Sequence, residues 1–188
     1  MKKIVVLAAA LAISLCMLGC AQGEDKNVGD SKEADDAITS QDTTEAKIGE
    51  VIPITTDYGN LEVAVEAFED NAKATSFMLE YGNVKETQHV ALLKLAVKNI
   101  SYKSTDSSLP DYVKLASSIR VTGADGVSLS EMNGAIDVDG YQAAAGAMFE
   151  CKQGESKRIA VFYPIEMGLE NITVRIGDYT VFAPVTSA

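Results

Sequence analysis

Apolar residues recur at every second position through much of this chain, and that period leaves it few architectures. In QHVALLKLAVKN (residues 88–99), Ala91, Leu93, Leu95 and Val97 share one face while Lys94 and Lys98 fall on the other, the pattern of a half-buried strand. Leu61, Val63 and Val65 alternate with Glu62 and Glu66 in the same way. The runs SSIRVTG, GVSLSEM, RIAVFY, NITVRI and YTVFA are rich in the β-branched and aromatic residues that suit a pleated surface. Between the runs, Tyr58-Gly59-Asn60, Asp125-Gly126, Gln153-Gly154 and Gly177-Asp178 each offer a residue that tolerates positive φ, as tight turns require. About seven to nine strands joined in this way predict an all-β domain built as an antiparallel β-sandwich.

Three stretches break the rhythm. Ile100 to Ala116 is a polar loop, with a helical turn expected after Pro110 because Pro suits the first turn and Asp111 the N-terminus. Residues 132–146, MNGAIDVDGYQAAAG, have no clean period. Within 68–86, NAKATSFMLEY predicts a short helix, ended by Gly82-Asn83. Long irregular connections in a compact domain are where function is commonly carried.

Residues 1–19 read as an export signal. Lys2 and Lys3 precede the apolar run IVVLAAALAISL, and small Gly19 suits cleavage just before Cys20, the expected acceptor of lipid. The apolar run is too short for a comfortable membrane span, which needs about 20 such residues. This predicts an extracytoplasmic protein, lipid-anchored to the cell membrane through Cys20. Residues 20–46 follow as a linker. From Ala21 to Ala46 there are eight acids, two lysines and only Val28 and Ile38 of the large aliphatic class, too little apolar surface to offset the entropy of ordering. A disordered acidic tether is expected there, and the folded domain at 47–188.

Within 47–188, nineteen acidic against twelve basic residues leave a net charge of −7, and the basic residues are scattered. Nucleic acid is excluded as a partner on that ground, since phosphate binding needs clustered Lys and Arg. Cys16 leaves with the signal and Cys20 takes lipid, so Cys151 has no partner for an internal disulfide. In GAMFECK, Ala147, Phe149 and Cys151 alternate with Met148, Glu150 and Lys152, which puts the thiol on the apolar face of a strand.

The segment from Lys47 to about Pro184 resembles the telokin-like, immunoglobulin-fold domain of bacterial, mainly Gram-positive, lipoproteins of unknown function. The matching pieces are Lys47-Ile48-Gly49-Glu50-Val51 as a first strand, Leu61-Glu62-Val63-Ala64-Val65, the strand end Val97-Lys98-Asn99, the hairpin at Asp125-Gly126, and Gly154-Glu155-Ser156 with Tyr163. The resemblance implies an immunoglobulin-like β-sandwich and brings no catalytic residues with it.

A search for chemistry is thin. His89 is the only histidine, which rules out a two-histidine metal site and reads as an edge or surface residue. Asp137 and Asp139 in DVDG could offer oxygens to calcium but lack the spacing and acidic end of a calcium loop, so a solvated turn is the plainer reading. Asn99-Ile100-Ser101 and Asn171-Ile172-Thr173 match a glycosylation pattern and read as strand ends. No catalytic residue and no cofactor is expected. Tyr102, Tyr112 and Tyr141 lie in the irregular segments, where amphipathic rings would serve as contact anchors or fold back over the sandwich edge. The leading expectation is a non-catalytic binding or interaction module for an envelope protein, peptide or glycan. The alternatives are an accessory partner of a membrane transporter and, less favoured, an envelope enzyme.

Overall fold

The computed structural model describes residues 43–188 apart from residues 82, 134, 135 and 139. The expected signal 1–19, Cys20, most of the acidic linker and Asp139 therefore lie outside the described residues. Strands β1 (Thr44–Ala46), β2 (Ile52–Thr56) and β3 (Gly59–Asp70) lead into helix α1 (Ala72–Glu80) and the long strand β4 (Gln88–Asn99). Then come β5 (Tyr112–Lys114), β6 (Ile119–Gly123), β7 (Ser128–Leu129), β8 (Gln142–Ala143) and β9 (Met148–Glu150). Strands β10 (Ser156–Glu166), β11 (Asn171–Ile176) and β12 (Tyr179–Ser187) complete the domain.

The architecture is an all-β sandwich. One continuous sheet runs β7-β6-β11-β12-β3-β4-β10-β8, with β1 on β12 and β2 on β3, while β5 and β9 form a separate two-stranded sheet. The long sheet closes over itself at β12, which pairs with β11 over Tyr179–Pro184 and then with β3 through Val185–Ser187. Val121, Val174 and Val181 thus meet Leu61, Val65, Leu95 and Val161 in one core. Pairing is mixed, not wholly antiparallel as expected: β1–β12, β12–β3 and β8–β10 run parallel. Each of these joins strands far apart in sequence, so no tight turn dictates their direction.

Two local details shape the outer face of the sheet around β3 and β4. Leu61, Val63 and Val65 point inward, but the next fully buried residue is Phe68, out of phase by one. A β-bulge at Glu66, between the Val65–Leu95 and Ala67–Lys94 pairs, absorbs the slip and turns the Glu66 carboxylate outward. The second detail concerns β4, which is not half-buried as predicted. Val90, Leu92 and Lys94 on its outer face are buried along with Leu93 and Leu95. Ala74 and Met78 of α1, with Val138 and Tyr141, cover that face and form a second apolar cluster with Leu92, Ala160 and Phe162. The helix forms where predicted, its N-terminus capped by Asn71 Oδ1 accepting from the Ala74 N–H at 2.9 Å.

Three expectations are corrected. Residues 107–111 make successive tight turns, Leu109 N–H to Asp106 O and Tyr112 N–H to Leu109 O, in place of a helical turn, because β5 must be extended to pair with β9. Lys47–Val51 is a turn and not a strand: the Glu50 N–H bonds back to Lys47 O, with Gly49 at φ 81°. The folded unit also starts before residue 47, since β1 pairs with β12 and Ala46 is buried within the stretch expected to be linker.

That last point gives a first prediction. A chain beginning at Lys47 should be less stable than one beginning at Thr43 by about 1–3 kcal/mol, read as a lower urea midpoint, because it loses the β1 ladder and the Thr44 N–H bond to Asp178 O. Equal midpoints would show that β1 adds nothing.

Candidate binding groove

The irregular loop after β4 does not hang free. Asn99, at the end of β4 and 2% exposed, gathers three chain segments through its side chain. Its Oδ1 accepts the Tyr102 N–H at 2.8 Å, and its Nδ2 donates to Tyr102 O at 3.2 Å and to Cys151 O at 2.8 Å. The following residue is tied to the β2–β3 hairpin, where the Lys103 N–H donates to Tyr58 O at 2.8 Å. The Tyr58 and Tyr102 rings meet edge to face, with centroids 6.1 Å apart.

These contacts build one wall of an open groove of about 680 Å³. Tyr58 is half exposed to it, whereas Tyr102 is mostly buried and supports it from behind. The floor comes from β5 and β9. Val113 is buried in the core, so Tyr112 and Lys114 face out together, Lys114 beside its cross-strand partner Met148. Thr55, Thr56, Ser104, Thr105, Ser117 and Ser118 supply hydroxyls around the rim. Asp57 and Asp106 add carboxylates. Hydrogen bonds from the Ser108 hydroxyl (2.6 Å) and N–H (2.9 Å) hold the Asp106 carboxyl below its usual range, so it is an acceptor at neutral pH.

Tyr102 and Tyr112 therefore come together, joined by Tyr58, which the sequence reading treated only as part of a turn. Tyr141 goes elsewhere. It is 6% exposed, on the outer face of β4 and β10, where its hydroxyl donates to Glu66 Oε2 at 2.7 Å and accepts from the Arg158 guanidinium. Arg158 also donates from Nε to Glu66 at 3.0 Å and lies 4.3 Å from the Tyr141 ring centroid. Lys94 lies 5.0 Å from the same centroid and is paired with Glu69 at 2.7 Å, which explains how a lysine is accommodated at 7% exposure. Burial, then Glu66, pushes the Tyr141 phenol up to about 12. The arrangement fastens Tyr141 across the sheet.

The remaining sequence candidates have structural places. Asp137 Oδ1 accepts the Ala143 N–H at 2.9 Å within a turn, and Asp139 lies outside the described residues. His89 Nδ1 is 2.7 Å from Asp70 Oδ2, linking β4 to β3. Cys151 is fully buried, as the alternation in GAMFECK predicts, and burial raises its thiol pKa. Among the described residues no three His, Cys, Asp or Glu side chains converge as a metal site would require.

No protein-family model matches the chain, and no curated protein matches its sequence. Among solved structures it is similar to the secreted protein MPT63 of Mycobacterium tuberculosis, at 14% identity and a TM-score of 0.46, over 76% of this chain and 97% of that one. A candidate lipoprotein of Staphylococcus aureus matches at 12% identity and a TM-score of 0.39, over 73% of this chain and 97% of that one. YcdA, a candidate lipoprotein of Bacillus subtilis, matches at 12% identity and 0.36, over 71% of this chain and 38% of that one.

Proposed function

We propose that this chain is an extracytoplasmic lipoprotein, of the telokin-like kind it resembles in sequence, anchored through lipid on Cys20 and acting as a non-catalytic binding module for a glycan of the cell envelope. The observation that carries the reading is the composition of the groove. A pyranose ring has an apolar C–H face that packs on an aromatic ring, and a girdle of hydroxyls that seeks carboxylates and hydroxyls. The groove offers the Tyr58 and Tyr112 rings, with Asp57, Asp106 and a rim of Ser and Thr around them.

Lys2, Lys3, the apolar run and Gly19-Cys20 support the anchor. A lipid-held domain at the membrane meets wall glycan at high local concentration, so modest intrinsic affinity suffices.

Co-sedimentation of the purified protein with isolated peptidoglycan sacculi tests the reading. The wild type should pellet with the sacculi, and the Tyr58→Ala/Tyr112→Ala pair should bind roughly thirtyfold more weakly, about 2 kcal/mol for two aromatic anchors. Tyr58 is half exposed and Tyr112 faces the groove, so an unchanged melting curve is expected to separate this loss from unfolding. Equal sedimentation of the double variant would remove the groove from consideration.

A further inference from the structure

An aromatic ring projects from a sheet face that ordinarily carries only polar side chains. Val121, Val174, Val181 and Ala183 are buried, so the residues alternating with them on β6, β11 and β12 point away from the core. On that outer face the pairing sets Phe182 beside Thr173 and Thr173 beside Thr122, with Pro184 beside Asn171 in the next row. Phe182 is 60% exposed. Together with Pro184, Asn171, Thr173 and Ala124 it lines an open depression of about 450 Å³. A projecting ring and a hollow thus lie side by side on one surface.

The charges on the same face are complementary to themselves. Glu45 of β1 pairs with Thr180, Thr180 with Arg175, and Arg175 with Arg120, so one row crosses four strands with an acid at one end and a base at the other. Ala46 and Val121, next along the chain from Glu45 and Arg120, are buried, and both charged side chains are exposed on the outer face. Consider a twofold axis lying in this face, parallel to the strands and midway between β11 and β12. It sets β1 against β6 of a second copy and β12 against its β11, the aligned packing that two sheets favour. Glu45 of each copy then meets Arg120 of the other, and each Phe182 falls over Thr173 of the other, in its hollow. Arg175 bonds to Gly177 O within its own chain and is given no part.

We infer that this face docks a second copy of the chain, ring into hollow, as a twofold dimer. The ring supplies affinity, and the two ion pairs at the rim set register and orientation. Four strands about 4.8 Å apart give a face of roughly 400 Å² on each copy, so the dimer belongs among the smaller, weaker interfaces, with a dissociation constant of about 10–100 µM. The inference is independent of the glycan reading and places the dimer contact on a different surface from Tyr58 and Tyr112.

Disulfide trapping of the full-length protein, purified in mild detergent, tests this with Glu45→Cys/Arg120→Cys. Within one chain these positions lie three strand spacings apart, about 14 Å, beyond the reach of a disulfide, so the bond forms only between copies. Under a mild oxidant the double variant should give a covalent dimer in high yield. Either single variant should give little, because its twofold mate is as distant, and the wild type reports any contribution from the chain's own cysteines. Adding Phe182→Ser should slow trapping about tenfold with an unchanged melting curve, since the ring is exposed in the single chain.

Sedimentation of proteins without the added cysteines gives a second measure. Glu45→Arg should weaken the dimer about fivefold, and Glu45→Arg/Arg120→Glu should restore it, because exchanging both signs restores both ion pairs. A wild type that remains monomeric at about 1 mM, well above the expected dissociation constant, would overturn the inference. So would trapping as fast in the single variants as in the double, or trapping unaffected by Phe182→Ser.

Discussion

Asn99→Asp is expected to destabilise the domain by about 4 kcal/mol at pH 7, although it exchanges a single NH2 for an oxygen. The amide nitrogen it replaces donates to two backbone carbonyls, Tyr102 O and Cys151 O, in a site that is 2% exposed. An aspartate there turns a donor pair into an acceptor facing two acceptors. It must either remain charged, with the Tyr102 N–H as its one donor and an oxygen turned on two carbonyls, or take up a proton and satisfy one carbonyl of the two. Burial and the missing donors raise its folded pKa above the unfolded value of about 3.9. The folded variant then binds more protons than the unfolded one between those two values. Its deficit against the wild type is therefore smallest below about pH 4, grows as pH rises to the folded pKa, and levels off above it. Urea unfolding of both proteins at pH 4 and pH 7 measures this directly. A deficit that is small and independent of pH would mean that Asn99 does not organise this junction. On the glycan reading proposed above, the same substitution should also weaken sacculus binding, because Tyr102 is held by Asn99 and packs against Tyr58.

Gly59→Ala should be the next most damaging change, lowering the melting temperature by about 10 °C for a loss near 3 kcal/mol. Gly59 has φ 123°, a conformation that side-chain-bearing residues rarely adopt, and a Cβ there would lie 2.3 Å from the Ser101 carbonyl oxygen. The obstacle is backbone and cannot swing away. The Ile100 and Ser101 N–H groups both bond to Asn60 O at 3.1 Å, so relief would require parting the β2–β3 hairpin from the loop. That movement would separate Tyr58 from Tyr102. Gly126→Ala is the matched control: its φ is 81°, but its added Cβ meets nothing within 4 Å, so it should cost only about 1 kcal/mol of backbone strain. Similar melting temperatures for the two variants would show that the close approach at Gly59 is not real.

Both predictions bear on the groove because the junction of β4, the hairpin and the 100–103 loop is what assembles it. The contrast between Tyr102 and Tyr141 shows why such a site was only partly legible. Each was recognised as a tyrosine in an irregular segment. Tyr102 lies three residues beyond Asn99 and is held by it, whereas Tyr141 is carried across the sheet to Glu66 and Arg158, 75 and 17 residues away in sequence. Tyr58 had a signal, as an aromatic ring beside a glycine that permits a sharp turn. What it would face depended on a loop more than 40 residues later.

Alternation and β-rich composition by themselves determined β3, β4, β6, β7 and β9 to β12 and the buried setting of Cys151, because each depends on which neighbours along the chain share a face; the short strands β1, β2, β5 and β8 carried no such signal. The run VALLKLAV and the phase slip from Val65 to Phe68 also carried information, one toward a strand covered on both faces and the other toward a bulge. Alternation states which residues lie together on a face but not what covers it. The burial of Lys94, the parallel pairing of β1 with β12, the meeting of three tyrosines and the register that sets Arg120 beside Arg175 were decided only by tertiary structure. Each rests on the choice of a partner strand distant in sequence, and that choice is set by how the whole sheet closes over its core.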